Sequence, residues 1–109
     1  MTKKKTQQVY TLLVEVGRGP NDGLPKGATG AALLCYATGV DEAEAVRETV
    51  QVLKTAELVP LDVTGYGTLA EREAEGHEVG DEDRALMQRA LDDNAVIVAE
   101  TTVLREGKE

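Results

Sequence analysis

Residues 31–56 restrict the fold of this chain most, because an apolar run passes there into an amphipathic pattern. The run "AALLCYAT" is apolar on both faces, so periodicity alone fits either a strand or a buried helix. Asp41 then stands as an N-cap with Glu44 three residues later, and apolar side chains follow at spacings of four and three, namely Val46, Val50 and Leu53. The spacing predicts a helix over 42–56, and Gly39 separates it from a preceding element of strand length.

Three further segments have the composition of strands. Residues 9–16, "VYTLLVEV", are rich in β-branched and aromatic types. From residue 59 apolar and polar residues alternate, and Pro60, which lacks an amide donor, points to a sheet edge or a strand start. Residues 95–104, "AVIVAETTVL", follow a helix stop and are dense in β-branched residues. We expect a strand there that is central in the sheet at its start.

A second helix is predicted over 81–94, with Asp81 as its cap and Asn94 as its left-handed end. Its apolar stripe consists of Leu86, Met87, Ala90 and Leu91. Between the strand at 59 and this helix, Thr68 and Glu71 form a weak capping-box pattern with little apolar surface nearby. We interpret this region as a loop with a helical turn, and a short strand over 77–79 is left open.

These elements predict a two-layer α+β sandwich, with a four- or five-stranded sheet and two helices on one of its faces. If 77–79 is a strand, residues 31–104 spell βαββαβ. With the strand-to-helix junction "ATGVDEAEAV", this order resembles small bacterial ferredoxin-like domains, including immunity-protein-like families. The resemblance implies no catalytic residue. We expect one domain over 9–104 between flexible tails at 1–8 and 105–109.

Composition and charge disfavour several classes of partner. The 109 residues carry a formal net charge of −8, which repels phosphates and membrane headgroups. The chain has three Tyr but no Trp and no Phe, so it lacks the aromatic platforms on which nucleic-acid bases stack. No apolar run approaches the length of a bilayer span, and no signal peptide is apparent. We expect a cytoplasmic protein that binds neither nucleic acid nor membrane.

The glycine-rich stretch "GRGPNDGLPKGATG" from residue 17 allows two interpretations. Arg18 or Lys26 could hold an anion together with backbone amides of the glycine-rich loop. However, a dinucleotide fingerprint needs a helix immediately after the loop, and here the next element is predicted as a strand. We favour a flexible hairpin connection and keep Arg18 and Lys26 as candidate ligand-binding residues.

The remaining candidates are one cysteine, one histidine and two tyrosines. Cys35 lies within an apolar run and is expected in the core, because its use as a nucleophile would need a base nearby. His77 lies among carboxylates, which favours a solvated acidic loop over a metal site. Tyr66, between two glycines, could line a pocket, and Tyr36 could reach the open sheet face. We therefore predict no catalytic residue, no metal and no cofactor.

The predicted open face of the sheet motivates the functional hypotheses. An apolar face without cover favours a homodimer, so the leading hypothesis is a non-catalytic, dimer-forming domain that binds a protein or small ligand as a regulatory or inhibitory module. One alternative is a small dimeric enzyme with a cleft between sheet and helices, using Tyr36, Tyr66 or His77. Another is an acidic inhibitor of a basic protein partner, since residues 71–83 hold seven carboxylates and only one basic residue, Arg72.

Overall fold

The computed structural model describes residues 6–19 and 23–105 as an α+β fold with one four-stranded sheet and three helices. The strands are β1 (Gln8–Gly17), β2 (Ala28–Gly39), β3 (Val59–Thr68) and β4 (Val96–Arg105). The helices are α1 (Glu42–Thr55), α2 (Leu69–Ala74) and α3 (Asp81–Asp93). The predicted α+β class is therefore confirmed. Most of the two tails predicted to be flexible, residues 1–5 and 106–109, lies outside the described residues.

The sheet is antiparallel throughout, in the order β3-β1-β2-β4. The β1-β2 hairpin is central, and α1 carries the chain from β2 over β1 to the edge strand β3. The element order is ββαβααβ, so the βαββαβ order of a ferredoxin-like domain is not formed. The strand considered at 77–79 is absent because the His77 amide donates to Arg72 O at 3.0 Å and ends α2.

The helices cover both faces of the sheet, so the expectation of two helices on one face was wrong. Cys35 and Tyr36 are adjacent in β2 and are buried on opposite faces. Cys35 belongs to the core cluster that includes Ala45 and Leu53 of α1. Tyr36 belongs to the cluster that includes Met87 and Ala90 of α3. The physical reason is the two-sided apolar run of β2, which requires cover on both sides.

Local signals determine the helix ends. Asp41 Oδ1 accepts from the Glu44 amide at 2.8 Å, and Glu44 Oε1 accepts from the Val40 amide at 2.8 Å, which confirms the predicted start of α1. Asn94 ends α3 with a left-handed φ of 50°, also as predicted. The expected cap of α3 was wrong, because Gly80 is the N-cap and Asp81 is the first helical residue. At that position the negative charge of Asp81 interacts favourably with the positive end of the helix dipole.

The two edges of the sheet differ in regularity. β3 is an edge strand, as Pro60 predicted, and its register with β1 shifts twice, leaving Leu61 and Tyr66 as bulged residues. β4 is the opposite edge, so the expectation that its start is central was wrong. Its register with β2 also shifts twice, but only one of the two bulged residues, Ala99, belongs to β4, and the other, Thr29, belongs to β2. High β propensity marks a strand but does not determine its place in the sheet.

Candidate functional site

A concave site of interest is an acidic pocket where β3 ends between the N-termini of α1 and α2. It has a volume of ≈ 480 Å³. Its lining consists of Glu42, Gly65, Tyr66, Gly67, Glu71, Ala74 and Glu75, and among the residues that the structure describes it includes no lysine or arginine. We call these seven residues the acidic pocket. The arrangement suits a cationic group, because carboxylates and a tyrosine ring both attract positive charge.

Two of the pocket carboxylates are placed by helix capping. Glu42 is the first residue of α1, directly after the N-cap Asp41. Glu71 belongs to a capping box in which the Thr68 amide donates to Glu71 Oε1 at 2.8 Å and the Glu71 amide donates to Thr68 Oγ1 at 3.2 Å. Negative charges stabilise helix N-termini, so both carboxylates contribute to folding before any ligand is present. The capping-box pattern at Thr68 and Glu71 is therefore confirmed, but it begins a third helix, α2, where a loop with a helical turn was expected.

A bulge presents Tyr66 to the pocket. Gly65 and Gly67 pair with consecutive residues of β1, so Tyr66 is the extra residue of β3. Bulges change the direction of a side chain at a sheet edge. Tyr66 is accordingly 45% exposed, although the residues on either side of it pair with β1.

The two glycines beside Tyr66 leave room for the carboxylates of the chain itself. A Cβ atom on Gly65 would overlap the carboxylate of Glu42. A Cβ atom on Gly67 would lie 2.6 Å from Glu71 Oε1, and Gly67 has a φ of +87°, which favours glycine. Glu42 and Glu71 were not predicted as pocket residues. The Gly-Tyr-Gly triplet was the available signal, because its two glycines allow these side chains to approach the backbone of β3.

The carboxylates around the pocket also act on Tyr10 of β1. Burial raises the pKa of Tyr10, and the negative charges of Glu71, Asp41 and Glu42 raise that pKa further. The three carboxylates therefore add to the effect of burial on the Tyr10 hydroxyl.

His77 is not one of the seven residues of the acidic pocket, but it lies near one of them. His77 Nε2 is 3.7 Å from Glu75 Oε1, and Glu75 also lines the pocket. The His77 side chain is 52% exposed. Within residues 6–19 and 23–105, no group of three or more His, Cys, Asp or Glu side chains is arranged to hold a metal ion.

Tyr36 is a core residue, and the expectation that it reaches an open sheet face was wrong. Its side chain is 1% exposed because α3 covers this part of the sheet. Burial and a hydrogen bond to Asp83 raise the pKa of Tyr36 to about 12, while Arg72 acts in the opposite direction. Arg72 also donates to Thr11 Oγ1 at 3.3 Å. Tyr36 therefore belongs to a network between sheet and helices rather than to the pocket.

Arg18 and Lys26 lie at the β1-β2 connection, away from the acidic pocket. An Arg18 Nη atom donates to Ala28 O at 2.7 Å and to Pro25 O at 3.3 Å, and Arg105 donates to Lys26 O at 3.4 Å. These bonds stabilise the connection internally, which agrees with its interpretation as a hairpin loop. The middle of the predicted loop, residues 20–22, lies outside the described residues.

Cys35 is confirmed as a core residue. It is fully buried, and its thiol contacts Leu33 O at 3.9 Å. Burial raises the pKa of the Cys35 thiol to about 11, so the thiol stays protonated at neutral pH. A protonated and buried thiol is unsuited to nucleophilic attack.

Comparison with known proteins adds a family but no activity. None of the described helices has the length and apolar character of a membrane span. No match was found among curated proteins or among solved structures. One family model, described as a domain of unknown function, matches residues 9–105, and its description names neither ferredoxin-like domains nor immunity proteins. Because this match spans nearly the whole sheet-and-helix unit, the chain belongs to the DUF8846 family.

Proposed function

We propose that this protein is a non-catalytic binding module that docks a basic segment of a partner protein in the acidic pocket. The observation that carries the proposal is the convergence of Glu42, Glu71 and Glu75 on an exposed tyrosine, without a basic residue in the lining. A lysine or arginine side chain entering the pocket would meet carboxylates from two helices and the face of Tyr66. Such a module could regulate or inhibit its partner.

The electrostatics of the surrounding surface favour this class of partner. Residues 41–44 and 71–84 contain ten carboxylates and two arginines. One of these arginines, Arg84, is ion-paired with Glu73. Long-range attraction from such a surface raises the association rate of a basic partner, and salt reduces this effect. Docking should therefore depend on salt mainly through the association rate.

The titratable candidates support binding over catalysis. The pKa values of Cys35 and Tyr36 are raised to about 11 and about 12, so both groups are neutral at pH 7 and both are buried. The small-enzyme alternative would use Tyr36, Tyr66 or His77. Tyr36 lies beneath α3, Tyr66 and Glu75 line the acidic pocket, and His77 lies 3.7 Å from Glu75. The enzyme would instead be favoured by an acid and a base that face one cleft, and these three candidates do not line one pocket together.

A binding measurement with a defined cation tests the proposal. Fluorescence anisotropy of a labelled oligo-arginine peptide should show binding at low salt that weakens at high salt. Glu42→Gln with Glu75→Gln should weaken binding by roughly tenfold, since each removed charge pair is worth up to about 1 kcal/mol. Tyr66→Ala should weaken it by about threefold through loss of a cation–π contact.

The matched control removes the same charge outside the pocket. Asp92 and Asp93 lie in the last turn of α3 and do not line the acidic pocket. Asp92→Asn with Asp93→Asn lowers the negative charge by as much as the pocket double variant. If the control weakens binding as strongly as the pocket variant, peptide binding reflects net charge alone and the proposed site is wrong.

Dimerisation remains a prediction, but the two-sided apolar run of β2 does not require it. The two-sided apolar run of β2 was expected to need a second copy as cover. The chain's own α1 and α3 provide cover on the two faces, around Cys35 and Tyr36. A different part of the sheet supports self-association.

A further inference from the structure

We infer that two copies of this chain associate through the outer edge of β4, forming one continuous antiparallel sheet in which β4 pairs with its own copy. β4 is an edge strand, and within the described chain its only strand partner is β2. The backbone groups on the outer side of an edge strand are available to pair with another strand. This inference concerns a surface distinct from the acidic pocket.

The contrast between the two edges favours β4. β3 carries Pro60, two bulged residues and two glycines, which are features that prevent edge pairing. β4 spans Val96–Arg105 without proline or glycine, and most of its residues are β-branched. Such a strand has high propensity to add to another strand. β4 has one bulged residue where β3 has two, and it has neither the proline nor the glycines of β3, so β4 is the less protected edge.

The bulge at Ala99 makes β4 complementary to itself. In a regular strand, alternate residues face the same side, but the bulge shifts this alternation once. The residues on the α1 side are Val96, Val98, Thr101 and Val103. Those on the opposite side are Ile97, Ala99, Glu100 and Thr102. Residues at equal distances before and after the bond between Ala99 and Glu100 therefore face the same side of the sheet.

A two-fold axis at that bond pairs every residue from 96 to 103 with one on the same side of the sheet. Ala99 then pairs with Glu100 of the other copy, and each bulge faces an identical bulge. The outer pairs join β-branched residues, namely Val98 with Thr101, Ile97 with Thr102, and Val96 with Val103. Pairs of this kind stabilise antiparallel sheets. Shifting the register by one residue would place Val98 opposite a residue on the other side.

The two copies of Glu100 destabilise the proposed dimer. They lie beside the axis on the same side of the sheet, where like charges repel. We therefore expect a reversible dimer that is strengthened by salt. Peptide binding at the acidic pocket is expected to weaken with salt, so the two associations respond to salt in opposite directions.

Charge substitutions at positions 98 and 101 test both the surface and the register. Val98 is 43% exposed and Thr101 is exposed, so a charged side chain is accommodated at either position in the monomer. Val98→Lys with Thr101→Glu places opposite charges across each pair, and Val98→Lys with Thr101→Lys places like charges there. Light scattering should give twice the chain mass for the wild type and the first variant, and one chain mass for the second.

The other outcomes contradict the inference in distinct ways. A monomeric wild type over the micromolar range overturns self-association, and two dimeric variants place the interface elsewhere. If both variants are monomeric, the proposed register is wrong. Glu100→Gln, which leaves the strand composition otherwise unchanged, should tighten the dimer by about threefold. Unchanged affinity in this variant would also contradict the arrangement. None of these substitutions touches the acidic pocket, so oligo-arginine binding is assessed separately.

Discussion

Thr38 Oγ1 donates a hydrogen bond to Ala90 O over 2.8 Å, joining the end of β2 to the last turn of α3. Thr38 is 4% exposed, and Ala90 is fully buried. Thr38→Val keeps the shape of the side chain but removes the donor. We expect it to lower the free energy of unfolding by about 1 kcal/mol in urea denaturation, because one buried hydrogen bond is lost while Ala90 O still accepts from the Ala95 amide.

Thr38→Ser is the control for this bond. It keeps the hydroxyl and removes one methyl group, so its cost should come from packing alone, at about 1 kcal/mol or less. Hydrogen exchange of the last turn of α3 should separate the two variants. The bond has no stabilising role if Thr38→Val exchanges there as slowly as the wild type.

Gly65→Ala and Gly67→Ala should have different effects although both glycines border Tyr66. At Gly65 the new methyl group meets the end of the flexible Glu42 side chain, which can move, so the expected loss of stability is below about 1 kcal/mol. At Gly67 the backbone has a φ of +87°, and alanine there should cost about 1 to 2 kcal/mol. Thermal denaturation of both variants measures this difference.

The same pair of variants also informs on the acidic pocket. Gly65→Ala displaces Glu42 from its position and should weaken oligo-arginine binding while the fold is retained. A folded Gly65→Ala protein that binds the peptide like the wild type would show that the position of Glu42 is unimportant for binding.

Alkaline pH should destabilise the protein in two steps. The pKa of the Cys35 thiol is raised from 9.0 to about 11, and that of the Tyr36 hydroxyl from 10.0 to about 12. A raised pKa in the folded state means that the unfolded chain loses its proton first, so stability is constant below about pH 9 and falls as pH rises through 11 and 12. Each group should contribute roughly 3 kcal/mol, and the two declines overlap, because one begins near pH 9 and the other near pH 10.

Cys35→Ala identifies the first step. It should cost roughly 1 kcal/mol at pH 7, as removal of a small buried group does. It should also abolish the part of the decline in unfolding free energy that begins near pH 9, leaving the part due to Tyr36, which begins near pH 10. Binding of oligo-arginine should be unchanged, and a folded variant that fails to bind would revive a functional role for the thiol.

Arg18 is expected to stabilise the β1-β2 connection rather than to bind anions. Its bonds to Ala28 O and Pro25 O engage the guanidinium with backbone carbonyls. Arg18→Met should therefore accelerate hydrogen exchange around residues 23–28 by several-fold, with little change elsewhere. Inorganic phosphate should leave exchange unchanged in the wild type, and strong protection by phosphate would instead support the ligand-binding interpretation of Arg18 and Lys26.

The elements that could be predicted from sequence are those whose signals are local. The cap of α1 at Asp41, the left-handed end of α3 at Asn94 and the edge position of β3 at Pro60 each depend on one or two neighbouring residues. The confirmed core position of Cys35 depends on the run around it. These features follow from backbone hydrogen bonding and from side-chain periodicity within a few residues.

The features that could not be predicted depend on contacts between distant segments. Glu42 reaches Gly65 only after α1 has crossed the sheet, so neither residue alone indicates the acidic pocket. Whether α3 lies on the same face as α1 depends on the path of the chain between β3 and β4, and β4 has the composition of a central strand although it is an edge. Tertiary packing decides such placements.

The central position of the β1-β2 hairpin has a consequence for synthesis of the chain. β1 and β2 are made first, so the middle of the sheet is complete before either edge strand exists. Until α1 and β3 emerge from the ribosome, the hairpin presents two open hydrogen-bonding edges and the apolar residues of β2 to the surrounding water. A nascent chain that is paused before residue 96 still lacks β4, so the outer edge of β2 stays unpaired until β4 is made.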